Sequence, residues 1–425
     1  MMQNDDPVVV TGMGAVSPLG VGIDTIWQRL LAGKSGIVHN DRFDTSDFAC
    51  TIAGLVPSKA NDSAGFDPLD FIDAKDIKKM DLFIQYGLAA TQEALTQANW
   101  MPESEEDRAA TATIIATGVG GSPIMAQTAV TIAEKGPRRL SPFTVPAFLA
   151  NLAAGWVSIR YGFTGPIGAP VTACAASAQA IGDGLRLIHT GEAEVVVCGG
   201  AEGSVDPLSV GGFSAARALC VSYNDTPEQA SRPFDADRAG FVLSEGAAIL
   251  VIEKLSHAKA RGATPLAILS GYGTSADAYH LTAGHPEGLG AQKAMRNALK
   301  MAELEPAAID YVNAHSTSTS VGDSAEIAAI AGVFEGRGKD LMVSATKSAT
   351  GHLLGAAGAL EAAFSIKALT DGMIPATLNL ENPDETADQF DLVPKVAKKQ
   401  AIRHVLSNAF GFGGVNASLI FSKAD

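Results

Sequence analysis

Positive charge is scarce in this sequence. Its 31 lysines and arginines face 46 aspartates and glutamates, a formal net charge of −15. The summed field repels polyanions, which excludes nucleic acid as a partner and leaves any basic site to be local. Aromatic residues are also few, at 6%, too sparse for a carbohydrate-stacking or single-strand-binding face. The four cysteines, Cys50, Cys174, Cys198 and Cys220, make no CxxC pair. The N-terminal "MMQNDDPVVVTG" has neither the basic nor the apolar region of a secretory leader, so the expectation is a cytoplasmic chain with free thiols. No apolar run approaches the roughly 20 residues that cross a bilayer. There is no HExxH and no Cys/His ladder, so no metal is expected.

What the chain has is small and apolar: 47% hydrophobic residues and 44 glycines, suited to close helix-on-sheet packing. Apolar runs of strand length, "PVVVTG" (7–12), "TATIIATG" (111–118), "AEVVVCGG" (193–200) and "AAILVIE" (247–253), belong to sheets covered on both faces. Between them, 81–98 and 146–162 carry apolar residues at helical spacing. The class is α/β. The chain also echoes itself. "VVVTGMGAVS" (8–17) resembles "AILSGYGTSA" (267–276), and the segment 171–188 has a counterpart in 343–366. The polar "SHAKARGATP" near 255–265 separates two halves, 1–260 and 261–425, and the loop-rich 221–240 reads as an insertion.

Two glycine motifs fail as dinucleotide fingerprints: Ser17 and Pro18 interrupt the first, and Pro123 ends the second. Tight turns account for these glycines. Cys174, in "VTACAAS", precedes a small-residue helix whose unpaired N–H groups and dipole favour a thiolate and could cradle an oxyanion. It could equally be a small packed hydrophobe, as Cys198 is in its apolar strand, and the stretch alone leaves both readings open. His315 in "NAHSTSTSVGD" and His352 in "TKSATGHLLGAAG" fall at the ends of predicted strands, where open α/β sheets place their ligand crevice. "NAFGFGGVNASL" (408–419) is either a tight turn or a loop that presents backbone N–H groups.

In order along the chain, "VVVTGMGAVSPLG", "KKMDLFIQYG", "GPRRLSPF", "GGFSAARAL", "SRPFDADRAGFVLSEGA", "VNAHSTSTSVGD", "TKSATGHLLGAAGA", "NPDE" and "NAFGFGGVN" resemble the β-ketoacyl-acyl-carrier-protein synthases, in particular the elongating, synthase II type of bacterial fatty-acid synthesis. The similarity covers nearly the whole chain. It implies a thiolase fold, a duplicated αβαβα five-layer architecture of two similar halves, in a homodimer. It implies decarboxylative condensation of an acyl group on Cys174 with malonyl carrier protein, lengthening the chain by two carbons. Cys174 is then the nucleophile, His315 and His352 are the active-site histidines, and Lys347 is the active-site lysine. The amides of Cys174 and Phe412 form the oxyanion hole, and Phe412 is a gate.

By the same resemblance Asp323 and Glu361 support the lysine and histidine network, though both could cap helices. Thr317 and Thr319 contact the phosphopantetheine arm, and Val119 and Phe410 belong to the substrate pocket. Lys75, Lys78, Lys79, Arg138, Arg139 and Arg217 dock the acidic acyl carrier protein, which answers the problem posed by the chain's own charge. No cofactor is implied beyond the phosphopantetheine of the carrier.

Three alternatives share parts of this pattern. A synthase with a dedicated carrier, for a very-long-chain lipid or polyketide, would keep every residue above; a non-catalytic chain-length partner would not need them. A thiolase needs a second cysteine in the C-terminal half, and none lies beyond Cys220. The initiating synthases pair cysteine with His and Asn, whereas here the second "G-H" histidine is present. Departures from the family pattern are Ala175 and Ala176 after the nucleophile, Ser316 in place of glycine, Ser320 in place of proline, and Val119 where isoleucine is frequent. They are expected to alter substrate preference, with Val119 admitting longer chains.

Overall fold

The computed structural model describes residues 6–424, so the first five positions of the N-terminal stretch considered for a leader lie outside it. Ten strands form the main path of one mixed sheet: β1 Val8–Ser17, β2 Thr111–Ala116, β3 Ile167–Gly168, β4 Val195–Glu202, β5 Gly246–Lys254, β6 Ala267–Ala276, β7 Tyr311–Asn313, β8 Met342–Ser344, β9 His404–Gly411 and β10 Val415–Lys423. Their order is β8-β7-β9-β10-β6-β1-β5-β4-β2-β3, with the two-residue strand Gly20–Val21 added beside β1. Each half repeats one topology. Taken in chain order, strands one to five of either half lie as three-two-four-five-one from edge to centre. The halves meet through a short antiparallel pairing of β1 with β6, Val9 opposite Ile268 and Val10 opposite Ala267, so the two sheets are joined at their first strands.

Helices α1 Leu82–Ala98, α2 Ser122–Lys135, α3 Thr144–Phe148, α4 Leu152–Tyr161, α5 Ala176–Thr190, α6 Pro207–Ala215, α7 Leu289–Ala302, α8 Ser320–Val333 and α9 Ala357–Asp371 cover it. α1 and α4 pack on one face of the N-terminal sheet through Ile115, Val195, Ile249 and Val251. α5 and α9 fill the space between the two sheets, with Val196, Leu250 and Ile252 on one side and Val405 and Leu419 on the other. α7 and α8 close the outer face of the C-terminal sheet through Leu406 and Ile420. That succession is αβαβα. Strands covered on both faces need apolar residues at every position, which is why they read as unbroken runs.

Of the two glycine motifs expected to be turns, the second falls in the loop between β2 and α2, with φ 83° at Gly120, but the first is not a turn. Gly12 and Gly14 lie within β1, where a Cβ would fall 2.1 Å from the carbonyl oxygens of Ala94 and Ala90 on α1. Gly271 and Gly273 in β6 meet α7 in the same way, at 2.4 Å from Ala298 O and 2.0 Å from Ala294 O. Only glycine admits so close a helix. The helical stretch 146–162 is also broken: Leu149 is extended, because the preceding carbonyls accept tertiary bonds, Ala147 O from Asp81 N and Phe148 O from Gly121 N. Among the described residues, no helix is long and apolar enough to cross a membrane, and all four cysteines are free.

Candidate active site

β2, β3 and β4 run parallel to one another, as do β7, β8 and β9. The loops at the carboxyl ends of these two triplets converge. After β2 comes Val119, after β3 Cys174, after β7 His315, after β8 Lys347 and His352, and after β9 Phe412. They surround a cavity of about 440 Å³ that Val119, Cys174, His315, His352, Phe410 and Phe412 help to line. A larger cleft of about 570 Å³ lies elsewhere, near Arg29 and Arg42, and those guanidiniums are already paired with Asp62 and Glu245.

Cys174 sits in a single 3-10 turn, Ala173–Ala175, immediately before α5. Ala173 is left-handed, with φ 49°, a strained turn of the kind concentrated at functional positions. Sγ lies 2.9 Å from His352 Nε2. Sγ and one ring nitrogen from each of His315 and His352 all fall within 4.8 Å of one another. The two imidazoles meet edge to face at 5.3 Å, and Phe410 and Phe241 flank them at 5.8 and 5.4 Å.

The thiolate expected from the helix dipole is not the resting state. Burial pushes the Cys174 thiol up to about 12, against the opposing pull of Lys347 and of the amide N–H groups of Phe412 and of Cys174 itself. Desolvation outweighs a dipole worth about 1 kcal/mol. The same two amides are those of the expected oxyanion hole. Burial, with Lys347 second, pulls both histidines well below the ordinary value, so both imidazoles are neutral at pH 7.

Lys347 is buried and ion-paired with Glu361 at the start of α9. Burial raises the Glu361 carboxyl while the ammonium opposes it. The segment 221–240 runs across both halves of this apparatus: Ser231 Oγ donates to Lys347 O at 2.7 Å, Arg232 N to Ser318 Oγ at 3.0 Å and Phe234 N to Asp323 Oδ2 at 3.0 Å. Just beyond it, Val242 O accepts from His352 N, and His352 O accepts from Ser244 N.

Asp323 touches neither the lysine nor a histidine side chain; it holds the amides of Ser318 and Phe234. Glu326, which sequence reasoning passed over, holds His315: its carboxylate accepts from His315 N at 2.9 Å, Ser316 N at 2.6 Å, Ser316 Oγ at 2.8 Å and Asn408 Nδ2 at 3.1 Å. Glu202, also passed over, joins the cavity walls by accepting from Gly118 N at 2.7 Å and Gly355 N at 3.0 Å.

Thr317 and Thr319 line the cavity with their hydroxyls 3.1 Å apart. "NAFGFGGVN" is both of the things considered for it: a turn between β9 and β10, with φ 83° at Gly413 and 75° at Gly414, and a loop whose Phe412 amide faces Sγ. The Phe412 ring is 40% exposed, and the loop is tied to a neighbour by Gly413 N donating to Leu281 O. Of the departures, Ala175 and Ala176 are packed in the core between the sheets and do not line the cavity; Val119 and Ser320 do. Among the six basic residues, Lys75 and Lys79 pair with Asp73 and Asp76. Lys79 also lies over the Phe143 ring, a few residues from Arg138 and Arg139, and Arg217 borders the cavity itself.

Comparison with known proteins agrees in extent and in kind. The N-terminal domain of β-ketoacyl synthases matches residues 5–258 and the C-terminal domain residues 266–381. A 3-oxoacyl-[acyl-carrier-protein] synthase 2 of Rhizobium meliloti is 48% identical over 98% of both chains. A solved β-ketoacyl synthase from Burkholderia phymatum superposes with a TM-score of 0.90 at 33% identity, covering 99% of this chain and all of that one. A type II PKS ketosynthase solved in complex with its acyl-carrier protein reaches 0.90 at 29%, with the same coverage. The chain belongs to the β-ketoacyl synthase family.

Proposed function

We propose that the chain is a cytoplasmic, homodimeric 3-oxoacyl-[acyl-carrier-protein] synthase that elongates fatty acyl chains and needs no cofactor of its own. The observation that carries the reading is the cluster of Cys174 Sγ with one nitrogen from each of two neutral imidazoles on the wall of the cavity.

The neutral thiol lies within hydrogen-bond distance of His352 Nε2, which assists proton removal as Sγ attacks the carrier thioester. The acyl carbon exchanges one sulfur for another, the proton leaves with the phosphopantetheine thiol, and no net bond energy is spent. Tetrahedral charge falls to the amides of Cys174 and Phe412. Malonyl carrier protein then loses carbon dioxide, and the electron pair of the broken C–C bond becomes a thioester enolate. Two imidazole N–H donors, from His315 and His352, meet its oxygen, His352 now in the tautomer that carries its proton on Nε2. Imidazoles kept neutral supply donors without a competing proton transfer. The enolate carbon attacks acyl-Cys174, the C–S bond breaks, the expelled thiolate takes up a proton from solvent, and the 3-oxoacyl carrier departs. Burial keeps both histidines neutral, and the Lys347 ammonium, paired with Glu361, adds to that effect.

Lys78, Arg138, Arg139 and Arg217 enter no ion pair among the described residues, and free cations on a chain of −15 suit an acidic carrier. The edge strand β3 supports the dimer: Ile167 on it, with Ile159 and Val171 beside it, is 54, 73 and 51% exposed in that order, and an open apolar edge calls for a partner.

The test is a ladder of acyl carrier proteins and intact-mass detection. An acyl adduct on wild type, absent in Cys174→Ala and discharged as 3-oxoacyl product by malonyl carrier, is expected. No adduct from any general carrier would overturn the fatty-acid role.

A further inference from the structure

Glu326 presents an unusual balance. It lies on α8 with 3% exposure, and among the described residues no lysine, arginine or histidine side chain forms an ion pair with it. Four neutral donors replace a cation, two on each oxygen: His315 N and Asn408 Nδ2 on Oε1, Ser316 N and Ser316 Oγ on Oε2. Two of the four are the consecutive backbone amides that fix where His315 emerges from the end of β7.

A carboxylate accepts all four bonds as they stand. A neutral carboxyl keeps them only with its proton on Oε2 and the Ser316 hydroxyl turned round to accept it, because the two backbone amides and Asn408 Nδ2 can only donate; the hydroxyl then gives up its charge-assisted bond. Burial drives Glu326 toward the neutral form, and these hydrogen bonds oppose it. The charged groups around it give little help. Asp323, one turn earlier on α8, and Glu361 on α9 both feel it as a like charge. Lys347 is committed to Glu361, Arg238 pairs with Asp384 at 3.0 Å and lies 3.9 Å from Asp323, and His315 and His352 are neutral. The Ser316 hydroxyl, itself buried, is the one donor of the four that a small substitution removes without touching the backbone or a second network.

We infer that Ser316 is a positioning residue whose hydroxyl keeps Glu326 ionised and so holds the His315 backbone where its imidazole can meet the malonyl enolate oxygen. The inference rests on the condensing-enzyme reading. It separates Ser316 from the substitutions that line the cavity, since Ser316 acts behind His315.

The experiment uses full-length wild type, Ser316→Ala and Ser316→Gly, and follows malonyl-carrier decarboxylation from pH 5.5 to 8.5 beside acylation of Cys174 by acyl carrier protein. A hydrogen bond to a charged group contributes about 1.5 kcal/mol or more, roughly a pKa unit. Taken as variant over wild type, so that titrations common to both cancel, the fall in decarboxylation is expected to deepen as pH drops from 8 to 6, with about tenfold the ceiling for a one-unit shift. Acylation should show no such dependence. A ratio flat with pH in both variants, or equal losses in both half-reactions, overturns the inference while leaving the enzyme a synthase. A wild type that decarboxylates no malonyl carrier at any pH overturns instead the reading beneath it.

Discussion

The two halves share one topology and use it differently. In each, the loops after the second and third strands reach the centre. In the N-terminal half they carry Val119 and Cys174, a cavity wall and a thiol; in the C-terminal half they carry His315, Lys347 and His352. Charge is buried unequally behind them. In the first, Glu202, Asp81 and Asp206 are buried and accept only neutral donors, whereas the second buries Asp323, Glu326 and Glu361 together with a cation, Lys347. Duplication thus supplied two equivalent mouths facing one cavity. One became the place where the acyl chain rests, and the other the place where charge develops and must be met.

That division should break cleanly under mutation. The largest expected effect is at Cys174: Cys174→Ala forms no acyl adduct at all, while His315→Ala and His352→Ala each cost roughly 10²–10³ in condensation, the loss typical of one oxyanion donor. Intact mass and product assay separate the two. Next is the buried ion pair. Lys347→Met leaves the Glu361 carboxylate without its partner and should lower stability by about 3–5 kcal/mol in denaturant titration. Gly14→Val and Gly273→Val probe the shared scaffold. Each drives a side chain into a helix carbonyl, so both should destabilise by about 1–3 kcal/mol or more and by similar amounts; a large inequality would show that the halves no longer pack alike.

Smaller effects read the thiol and the wall. With Cys174 pushed up to about 12, raising pH adds thiolate throughout the working range. Alkylation should therefore climb about tenfold per pH unit from pH 7 to 10 without a plateau; a plateau below pH 9 would place the thiol much lower. Val119→Ile adds one methylene at the cavity, worth about 1–3 kcal/mol of discrimination, and should shorten the accepted acyl chain in a competition assay.

The architecture was legible because strands covered on both faces print as apolar runs, and because β1 and β6 kept the same Gly-x-Gly. What those glycines do was not legible. A strand crossed by a helix and a tight turn both ask for glycine, and only the neighbouring carbonyl distinguishes them. Cys174, His315, His352 and Lys347 could be placed from their motifs, but the protonation of the thiol could not, since burial is a property of the assembled cavity. Glu326 left a trace that could have been read. Asp323, Glu326, Ile327 and Ile330 share one buried stripe of α8, so two acids fall at helical spacing among apolar residues. Acids there must be met by donors. Glu202 is similar, an acid closing an otherwise apolar strand.

The most direct test of the divided site is the fate of acyl carrier protein on His315→Ala. The account expects an acyl adduct on Cys174 at close to the wild-type rate that malonyl carrier then fails to discharge. An enzyme that cannot be acylated at all, as Cys174→Ala cannot, would contradict the assignment of separate chemistry to the two halves.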